Sequence, residues 1–479
     1  MKQRDLPVII QGGMGVAVSD WRLARAVSRL GHFGVVSGTA LDLVLVRRLQ
    51  AGDIGGHIRR AASHFPIPGV MKRVFDRYFI EGGRQLRDRF KSHPMGRLKP
   101  SRNLLDLQVL SNFVEVFLAK EGHDGLVGIN LLTKVQAPTI PSLYGAMLAG
   151  VDAVLMGAGI PREIPGVLDK LAAGEPAELK LDVKGASRDK PFWMRFDPAE
   201  YCDGNAVKPK RPKFFPIISS AVLATMLSKK ATGRVDGFIV EGPTAGGHNA
   251  PPRGKLQLSD GGEPVYGDRD IADLDAVAAV GLPFWLAGSY AEPERVVEAL
   301  AAGATGVQVG TAFAYTDESG FSPEIKANVL ARSREGNVAV FTDPLASPTG
   351  FPFKVVPMAD SVSEETVYEK RTRVCDLGYL RTPYRIDDDT VGWRCASEPV
   401  QDFERKGGEV EETVGRKCVC NALMASIDLG QTQKSGEPEL PLVTSGDDVS
   451  QISRFLKPGA DSYSAADVID YLMRDVVAE

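Results

Sequence analysis

Hydrophobic and polar positions in roughly the first three hundred residues alternate between short apolar runs rich in β-formers and amphipathic helical patterns. This alternation is typical of parallel strands that are joined by crossover helices. It predicts strands at residues 8–10, 35–37, 127–131, 153–156, 215–218, 237–240, 284–287 and 306–309.

Eight strand–helix units within about 310 residues fit a closed (β/α)8 TIM barrel of the α/β class. The main alternative is an open doubly wound sheet, which usually carries a glycine-rich dinucleotide fingerprint after its first strand. The chain has neither a G-x-G-x-x-G motif nor a P-loop lysine signature. We therefore predict a barrel over residues 1–320, with insertions at about 52–100 and 185–213.

Local signals place two of the helices in this pattern. Ser19 is a good N-cap for a first helix that ends at Gly31. A second helix is expected over residues 293–302, with proline in its first turn and Gly303 as its stop. The residues expected on the buried face of this second helix are Val296, Val297 and Leu300.

The pattern is interrupted outside these units. Residues 52–100 are expected to form a helical excursion, and residues 185–213 a surface loop or arm. Residues 321–479 are predicted to be an extension or small cap, with helices at 322–332 and 465–477. The first insertion carries aromatic residues that favour a small local core, with a substrate lid as the alternative. They are Phe65, Phe75, Tyr78 and Phe79.

Composition narrows the class of protein. Hydrophobic residues make up 43% and charged residues 25%, as in an ordinary globular enzyme. The net charge of −4 offers no basic field for nucleic acid. The N-terminus lacks the apolar core of a secretory signal, and the most apolar stretch, 276–291, is too short and broken to span a bilayer. We expect a cytoplasmic protein that acts on a small molecule, without a membrane or nucleic-acid partner.

Glycine-rich segments follow several of the predicted strands. In a TIM barrel the working groups lie in the loops after the carboxyl ends of the strands. Gly288-Ser289 follows the seventh strand and Gly310-Thr311 the eighth, which is where barrels often hold a phosphate. The alternative is that these glycines only make tight turns. Their occurrence together favours a phosphate site.

His248 is the candidate catalytic residue. It is one of six histidines, and it follows two glycines in the loop after the sixth strand. An ordinary imidazole pKa of about 6.5 suits proton transfer near neutral pH. The other histidines have no glycine constellation around them and are assigned no role. They are His32, His57, His64, His93 and His123.

The cysteines offer a competing metal hypothesis. Five cysteines are an odd number and predict no disulfide framework. Four of them lie in the extension, but they lack two C-x2-C knuckles, and free cysteine is commonly a small buried hydrophobe. We therefore predict no metal site. The four are Cys375, Cys395, Cys418 and Cys420.

Three motifs in order resemble the nitronate monooxygenase family, also called 2-nitropropane dioxygenases, which includes flavin enoyl reductases of fatty-acid and polyketide synthesis. They are residues 9–15, 245–248 and 306–313. The resemblance covers residues 7–315 and implies FMN in a TIM barrel, with His248 as the acid/base residue. It implies a flavin ring beside Gly13, Met14 and Asn130, and an FMN phosphate at Gly288, Ser289, Gly310 and Thr311. Gly246 and Gly247 are expected at the cofactor, where their N–H groups would stabilise a nitronate or enolate.

The sequence departs from the family pattern at three positions. Glu241 stands where Gln is usual, Thr244 where Glu is usual, and Ala312 where Arg is frequent. The resemblance implies oxidation of alkyl nitronates with O2. The departures and the long extension give weight to an alternative, an NAD(P)H-dependent enoyl reductase for thioesters. A third alternative is an FMN-holding, non-catalytic subunit of a synthase complex, and a homo-oligomer or an acyl-carrier protein is the expected protein partner.

Overall fold

The computed structural model describes residues 6–85 and 87–476. The strands are β1 Ile9–Gln11, β2 Phe33–Ser37, β3 Val127–Leu132, β4 Ala153–Gly157, β5 Ala177–Leu181, β6 Phe192–Phe196, β7 Lys213–Ile218, β8 Phe238–Glu241, β9 Phe284–Ala287, β10 Gly306–Val309, β11 Phe341–Asp343, β12 Phe353–Val355, β13 Thr382–Arg385 and β14 Val391–Arg394.

The helices surround these strands and follow them in the chain. They are α1 Trp21–Arg29, α2 Leu41–Gln50, α3 His57–Ala62, α4 Val70–Tyr78, α5 Arg102–Lys120, α6 Thr139–Leu148, α7 Ile164–Ala173, α8 Pro198–Tyr201, α9 Ala221–Lys230, α10 Leu274–Ala278, α11 Pro293–Ala301, α12 Thr311–Ala314, α13 Pro323–Arg334, α14 Glu365–Lys370, α15 Val400–Arg405, α16 Val419–Ala425 and α17 Ala465–Met473.

Parallel pairing closes the predicted TIM barrel. The barrel strands follow the order β1, β2, β3, β4, β7, β8, β9 and β10, and β10 pairs with β1 again. The register of the closing pair sets Ile9 opposite Val307. Each of the predicted strands overlaps one of these, so the predicted fold class is confirmed.

The barrel interior is filled by apolar side chains rather than open. Its largest member is Trp285 of β9, which is fully buried and packs on Phe215 of β7 with ring centroids 5.3 Å apart. The Trp285 indole N–H donates to the carbonyl of Pro7 at 2.9 Å, which satisfies its polar end. The packed interior leaves space for a ligand only at the rim.

The first helix begins one residue later than predicted. Asp20 is the N-cap of α1, and its carboxylate accepts a hydrogen bond from the Arg22 N–H at 2.8 Å. The Ser19 hydroxyl donates instead to the Gly12 carbonyl at 2.9 Å, so it fixes the glycine-rich loop after β1. The predicted end is confirmed, because Gly31 has the positive φ of +83° that favours glycine after a helix.

The predicted second helix corresponds to α11, which ends just before the left-handed Gly303. Val296 is fully buried, whereas Val297 is 41% exposed, so the assignment of Val297 to the buried face was wrong. Val296 is buried as predicted, together with Ala299, and Leu300 packs against the core while partly exposed. One step around a helix turns a side chain by about 100°, which is enough to move it out of the contact.

The first insertion has the predicted structure, whereas the second does not. Residues 52–100 contain α3 and α4, as expected of a helical excursion. Residues 185–213 were expected to form a loop, but they contribute β6, which pairs antiparallel with β5. The period-two pattern of β6 buries Phe192, Met194 and Phe196 and leaves Trp193 exposed. That alternation is the signal of a strand, and the surrounding prolines and lysines obscured it.

The aromatic residues of the first insertion form a local core, which was the favoured prediction. Phe65 packs edge-on against Phe113 of α5 with ring centroids 5.0 Å apart, and Tyr78 is buried. Phe75 and Phe79 contact each other at 6.0 Å. The substrate-lid alternative is wrong, because these four side chains pack among the helices.

The segment beyond residue 320 lies against the barrel. The Tyr463 hydroxyl, just before α17, donates to the Ala312 carbonyl at 2.7 Å, and the Ser322 N–H donates to the Ser426 carbonyl at 3.0 Å. The predicted helix at 322–332 corresponds to α13 and the one at 465–477 to α17, although residue 477 lies outside the described residues. None of the helices among the described residues is long and apolar enough to cross a bilayer.

The contact between α5 and α6 generates a prediction about stability. A Cβ on Gly145 of α6 would lie 2.1 Å from the Val109 carbonyl oxygen of α5. Alanine is normally more favourable in a helix than glycine. Here, however, the Cβ would clash with the backbone of α5, which cannot move without disturbing the helix. We expect Gly145→Ala to lower the free energy of unfolding by about 1–3 kcal/mol, as measured by urea denaturation.

The matched control is Gly267→Ala. Gly267 has a φ of −135° and open space where its Cβ would stand. Its substitution should change the free energy of unfolding by less than about 0.5 kcal/mol. Equal stability of the two variants would contradict the close approach of α5 to α6.

Candidate functional site

One large cavity opens at the carboxyl-terminal rim of the barrel. It encloses about 1660 Å³, its open mouth included, and lies between the loops after β1, β2, β3, β8, β9 and β10 and part of the C-terminal extension. All the residues proposed from the sequence line it. They are His248, Gly13, Met14, Asn130, Gly246, Gly247, Gly288, Ser289, Gly310 and Thr311.

The loop after β1 forms one wall of this cavity. A Cβ on Gly13 would lie 2.4 Å from the Asn130 Cβ, so only glycine allows the two loops to approach this closely. The Asn130 amide nitrogen donates to the Gly13 carbonyl at 3.2 Å, which leaves its Oδ1 buried without a partner among the described residues. The Oε1 of Gln308 in β10 is also buried without a hydrogen-bond partner among the described residues. Two amide oxygens of the cavity lining therefore still require donors.

The loops after β9 and β10 meet at the opposite wall. Gly288 and Ser289 have positive φ angles of +99° and +56°, so the backbone turns sharply where the phosphate was expected. The Thr311 hydroxyl accepts a hydrogen bond from the Gly446 N–H at 2.9 Å and bonds to the buried Asp448 carboxyl. The extension has thus taken up the Thr311 hydroxyl that the sequence suggested for a phosphate. Burial raises the pKa of Asp448, which limits the negative charge there.

His248 stands in the loop after β8, with its ring against Phe353 at 4.6 Å between centroids. Its Nε2 is 2.6 Å from the Ser347 hydroxyl oxygen, which also contacts the Thr349 hydroxyl at 2.8 Å. Burial, and then the positive charge of Lys134, hold the pKa of His248 well below its ordinary value. The imidazole is therefore neutral at pH 7, and the assumption of an unperturbed pKa was wrong.

The glycines before His248 are held by the extension. The Gly247 N–H donates to the Thr444 hydroxyl at 3.1 Å. A Cβ on Gly246 would lie 2.8 Å from the Gly446 nitrogen, so the two backbones are in close contact. The expectation that the Gly247 N–H stabilises a nitronate or enolate was wrong, because that donor is already used within the protein.

Two charged residues at the site were not recognised as a pair from the sequence. Lys134 lies two residues beyond the end of β3, and Glu241 is the last residue of β8. Glu241 had been noted only as a departure from the family pattern, and Lys134 belongs to no motif. Glu241 could have been identified as a site residue from its acidic side chain at the carboxyl end of a barrel strand.

A second cavity of about 900 Å³ adjoins the first. Glu241 and His248 line both cavities, so they form part of the wall between them. The lining of the second cavity includes Ile160, Leu223 and Phe351, which make it partly apolar. Together the two cavities offer a ligand more space than a flavin ring alone requires.

The four cysteines of the extension are brought together by the fold. Cys375, Cys395, Cys418 and Cys420 line one narrow cavity of about 290 Å³ and are free thiols. Burial raises the pKa of Cys418 to about 11, which keeps its thiol protonated at neutral pH. No group of three or more His, Cys, Asp or Glu side chains within 6–85 and 87–476 has metal-binding geometry.

Comparison with known proteins shows where the chain has relatives. Residues 208–343, which include His248 and the loops after β9 and β10, match the family model described as nitronate monooxygenase. Among solved structures, FabK from Thermotoga maritima is similar with a TM-score of 0.46 and 16% identity, covering 98% of this chain and 92% of that one.

Two curated proteins share the same description. The (3aS,4S,5R,7aS)-5-hydroxy-7a-methyl-1-oxo-octahydro-1H-indene-4-carboxyl-CoA dehydrogenase of Mycobacterium tuberculosis is 29% identical over 216 residues, which are 40% of this chain and 56% of that protein. Its namesake in Rhodococcus jostii is 32% identical over 116 residues, or 24% of this chain and 29% of that protein. The chain thus spans little more than half the length of the first relative and under a third of the second.

The charge around His248 can be tested by NMR. We expect the His248 imidazole to remain neutral from pH 8 down to pH 6.5, because its pKa lies well below 6.5. Lys134→Met should raise the pKa of His248 by removing the positive charge that opposes protonation. The exposed Lys180→Met is the matched control and should leave the titration unchanged. A His248 that titrates at 6.5 in the parent protein would contradict its burial.

Proposed function

We propose, from the match of residues 208–343 to the nitronate monooxygenase family model and from the geometry of the rim cavity, that the chain is an FMN-dependent oxidoreductase. It transfers a proton at a carbon next to an electron-withdrawing group. The observation that carries the proposal is the convergence of glycine-rich loops and His248 on one cavity at the catalytic end of the barrel.

The lining of the cavity fits a flavin. The unpartnered Oδ1 of Asn130 and Oε1 of Gln308 are acceptors suited to the N–H edge of an isoalloxazine ring. Gly13 and Met14 would lie along the ring, and Gly288, Ser289, Gly310 and Thr311 would hold the phosphate through the backbone of their turns. When bound, FMN would supply the hydride or electron transfer.

His248 supplies the proton chemistry in this proposal. Because it is neutral, it is able to accept a proton from a carbon acid in the cavity. Its contact with the Ser347 hydroxyl and with the Phe353 ring holds the imidazole in one orientation. A fixed orientation lowers the entropy cost of reaching the reactive geometry.

The substrate class that the geometry supports best is an unsaturated or acyl thioester, with NAD(P)H as electron donor. The second cavity gives room for such a substrate beyond the flavin, and the curated relative from Mycobacterium tuberculosis is named for a CoA thioester. An alkyl nitronate with O2 as oxidant is the second candidate, because the family model that matches residues 208–343 is described as nitronate monooxygenase.

The first experiment is anaerobic reduction of the purified protein in the presence of FMN, followed by flavin absorbance. Fast bleaching by NADPH or NADH, then reoxidation by an enoyl thioester, is the expected result. Bleaching by an alkyl nitronate but not by nicotinamides would assign the second candidate. A protein that takes up no FMN would overturn the proposed function.

His248 is tested in the same assay. We expect His248→Gln to retain FMN and to lower turnover by about 10²- to 10⁴-fold, the usual contribution of a general acid or base. The control is His64→Gln, because His64 is exposed and stacks on Phe117, away from the rim cavity. Unchanged turnover in His248→Gln would remove its catalytic role.

A further inference from the structure

We propose that Glu241 is a second proton-transfer residue of this site, acting from the wall between the two cavities opposite a buried lysine, Lys134. The inference rests on the proposed function and deepens it, because it divides the proton chemistry between two residues. It is carried by the position of Glu241, by the lack of partners around it and by its relation to Lys134.

Position gives Glu241 access to a substrate. It ends β8 and lines both the rim cavity and the second cavity, as His248 does. No hydrogen bond from the described residues reaches its carboxyl group. A carboxyl that borders two cavities and is not used by the fold is available to a ligand.

Lys134 is equally unused by the fold. Its Nζ is buried without a hydrogen-bond partner among the described residues and lies 4.5 Å from the centroid of the Phe351 ring. It interacts with Glu241 through charge without forming an ion pair. A buried cation without a hydrogen-bond partner costs stability, and the positive charge of Lys134 favours the ionised form of Glu241.

The pKa values of Glu241 and Lys134 both lie close to neutral pH. Burial raises the pKa of Glu241 to about 7, and Lys134 opposes that rise. Burial lowers the pKa of Lys134 to about 7, and Glu241 opposes that fall. His248 borders both cavities beside Glu241, and the second cavity is also lined by Arg253, Tyr266 and Asp270.

His248 and Glu241 therefore have different tasks in proton transfer. His248, neutral near pH 7, accepts a proton, whereas Glu241 is protonated below about pH 7 and is able to donate one. In thioester reduction, the Glu241 carboxylic acid passes its proton to the neutral imidazole of His248, which borders the same two cavities, and His248 delivers this proton to the substrate carbon that does not receive the hydride. The charge of Lys134 stabilises the carboxylate that remains, which regains a proton from solvent through the second cavity. The hydride would come from NAD(P)H by way of bound FMN, so that the substrate double bond gains one hydride and one proton.

The direct test is Glu241→Gln, which keeps the shape of the side chain and removes its proton. We expect FMN binding and reduction by NAD(P)H to be unchanged, and substrate-dependent reoxidation to fall by about 10²-fold or more. The parent should lose activity as pH rises through about 7, where Glu241 ionises, and the variant should lose this pH dependence. Glu175→Gln, at an exposed glutamate, is the matched control.

A second variant separates proton transfer from a structural role. Lys134→Met removes the charge that favours ionised Glu241, so the alkaline loss of activity should move to higher pH while Glu241 is still present. An alkaline limb that stays in place in Lys134→Met, or that persists in Glu241→Gln, would overturn the inference. Neither outcome would affect the flavin or its reduction, so the proposed function would survive.

A measurement without turnover tests the protonation of Glu241 itself. Between pH 5 and 7 the folded protein keeps a proton on Glu241 that the unfolded chain, with an ordinary carboxyl pKa of about 4.3, has already lost. The contribution of Glu241 to stability therefore falls in this range, and Glu241→Gln removes it, whereas the lowered pKa of His248 acts in the opposite direction equally in both proteins. We expect the melting temperature of Glu241→Gln to rise relative to that of the parent from pH 5 to 7. A constant difference would contradict a raised Glu241 pKa.

Discussion

Closure of the parallel barrel is the constraint on which the rest of the structure depends. Pairing of β1 with both β2 and β10 leaves no free edge, and parallel pairing sends every carboxyl end to the same rim. Residues that are nearly 300 positions apart in sequence, such as Gly13 and Thr311, thus line one cavity. The interior below is filled by Trp285 and its neighbours, so a ligand is confined to the rim.

The C-terminal extension converts this rim into an enclosed site. The Asp447 N–H donates to the Thr244 carbonyl at 3.1 Å, and the Lys354 N–H donates to the Gly247 carbonyl at 2.9 Å, so the loop that carries His248 is held between two parts of the extension. Burial in this site reduces the solvation of His248 and Glu241. Desolvation penalises the charged form of each group, so it lowers the pKa of the imidazole and raises that of the carboxyl.

The extension contacts two of the three positions that depart from the pattern of the resembled family. Ala312 is buried, and its carbonyl accepts the Tyr463 hydroxyl, so a long charged side chain has no room at this position. Thr244 lies where Asp447 binds its carbonyl and where a Cβ on Gly288 would come within 2.8 Å of its hydroxyl. The third departure, Glu241, is matched by Lys134, a cation that the same fold buries near it.

The sequence by itself determined the barrel, because period and turn residues are local properties. Each predicted strand overlaps an observed one, and Gly31 ends α1 through its own φ. It also brought the candidate site residues to one rim, since parallel strands in a closed barrel admit no other arrangement. Competing local signals were less decisive: Asp20 rather than Ser19 caps α1, because the Ser19 hydroxyl is drawn to the Gly12 carbonyl across the loop.

Tertiary structure alone decided the electrostatics of the site. The charge state of His248 depends on burial by Phe353 and on Lys134, which lie more than 100 residues away in sequence and carry no motif. The sequence also could not predict that the extension binds the Gly247 N–H and the Thr311 hydroxyl. The partners, Thr444 and Gly446, belong to a segment without periodicity. Sequence patterns report which face a residue presents, whereas a pKa depends on everything that is packed around it.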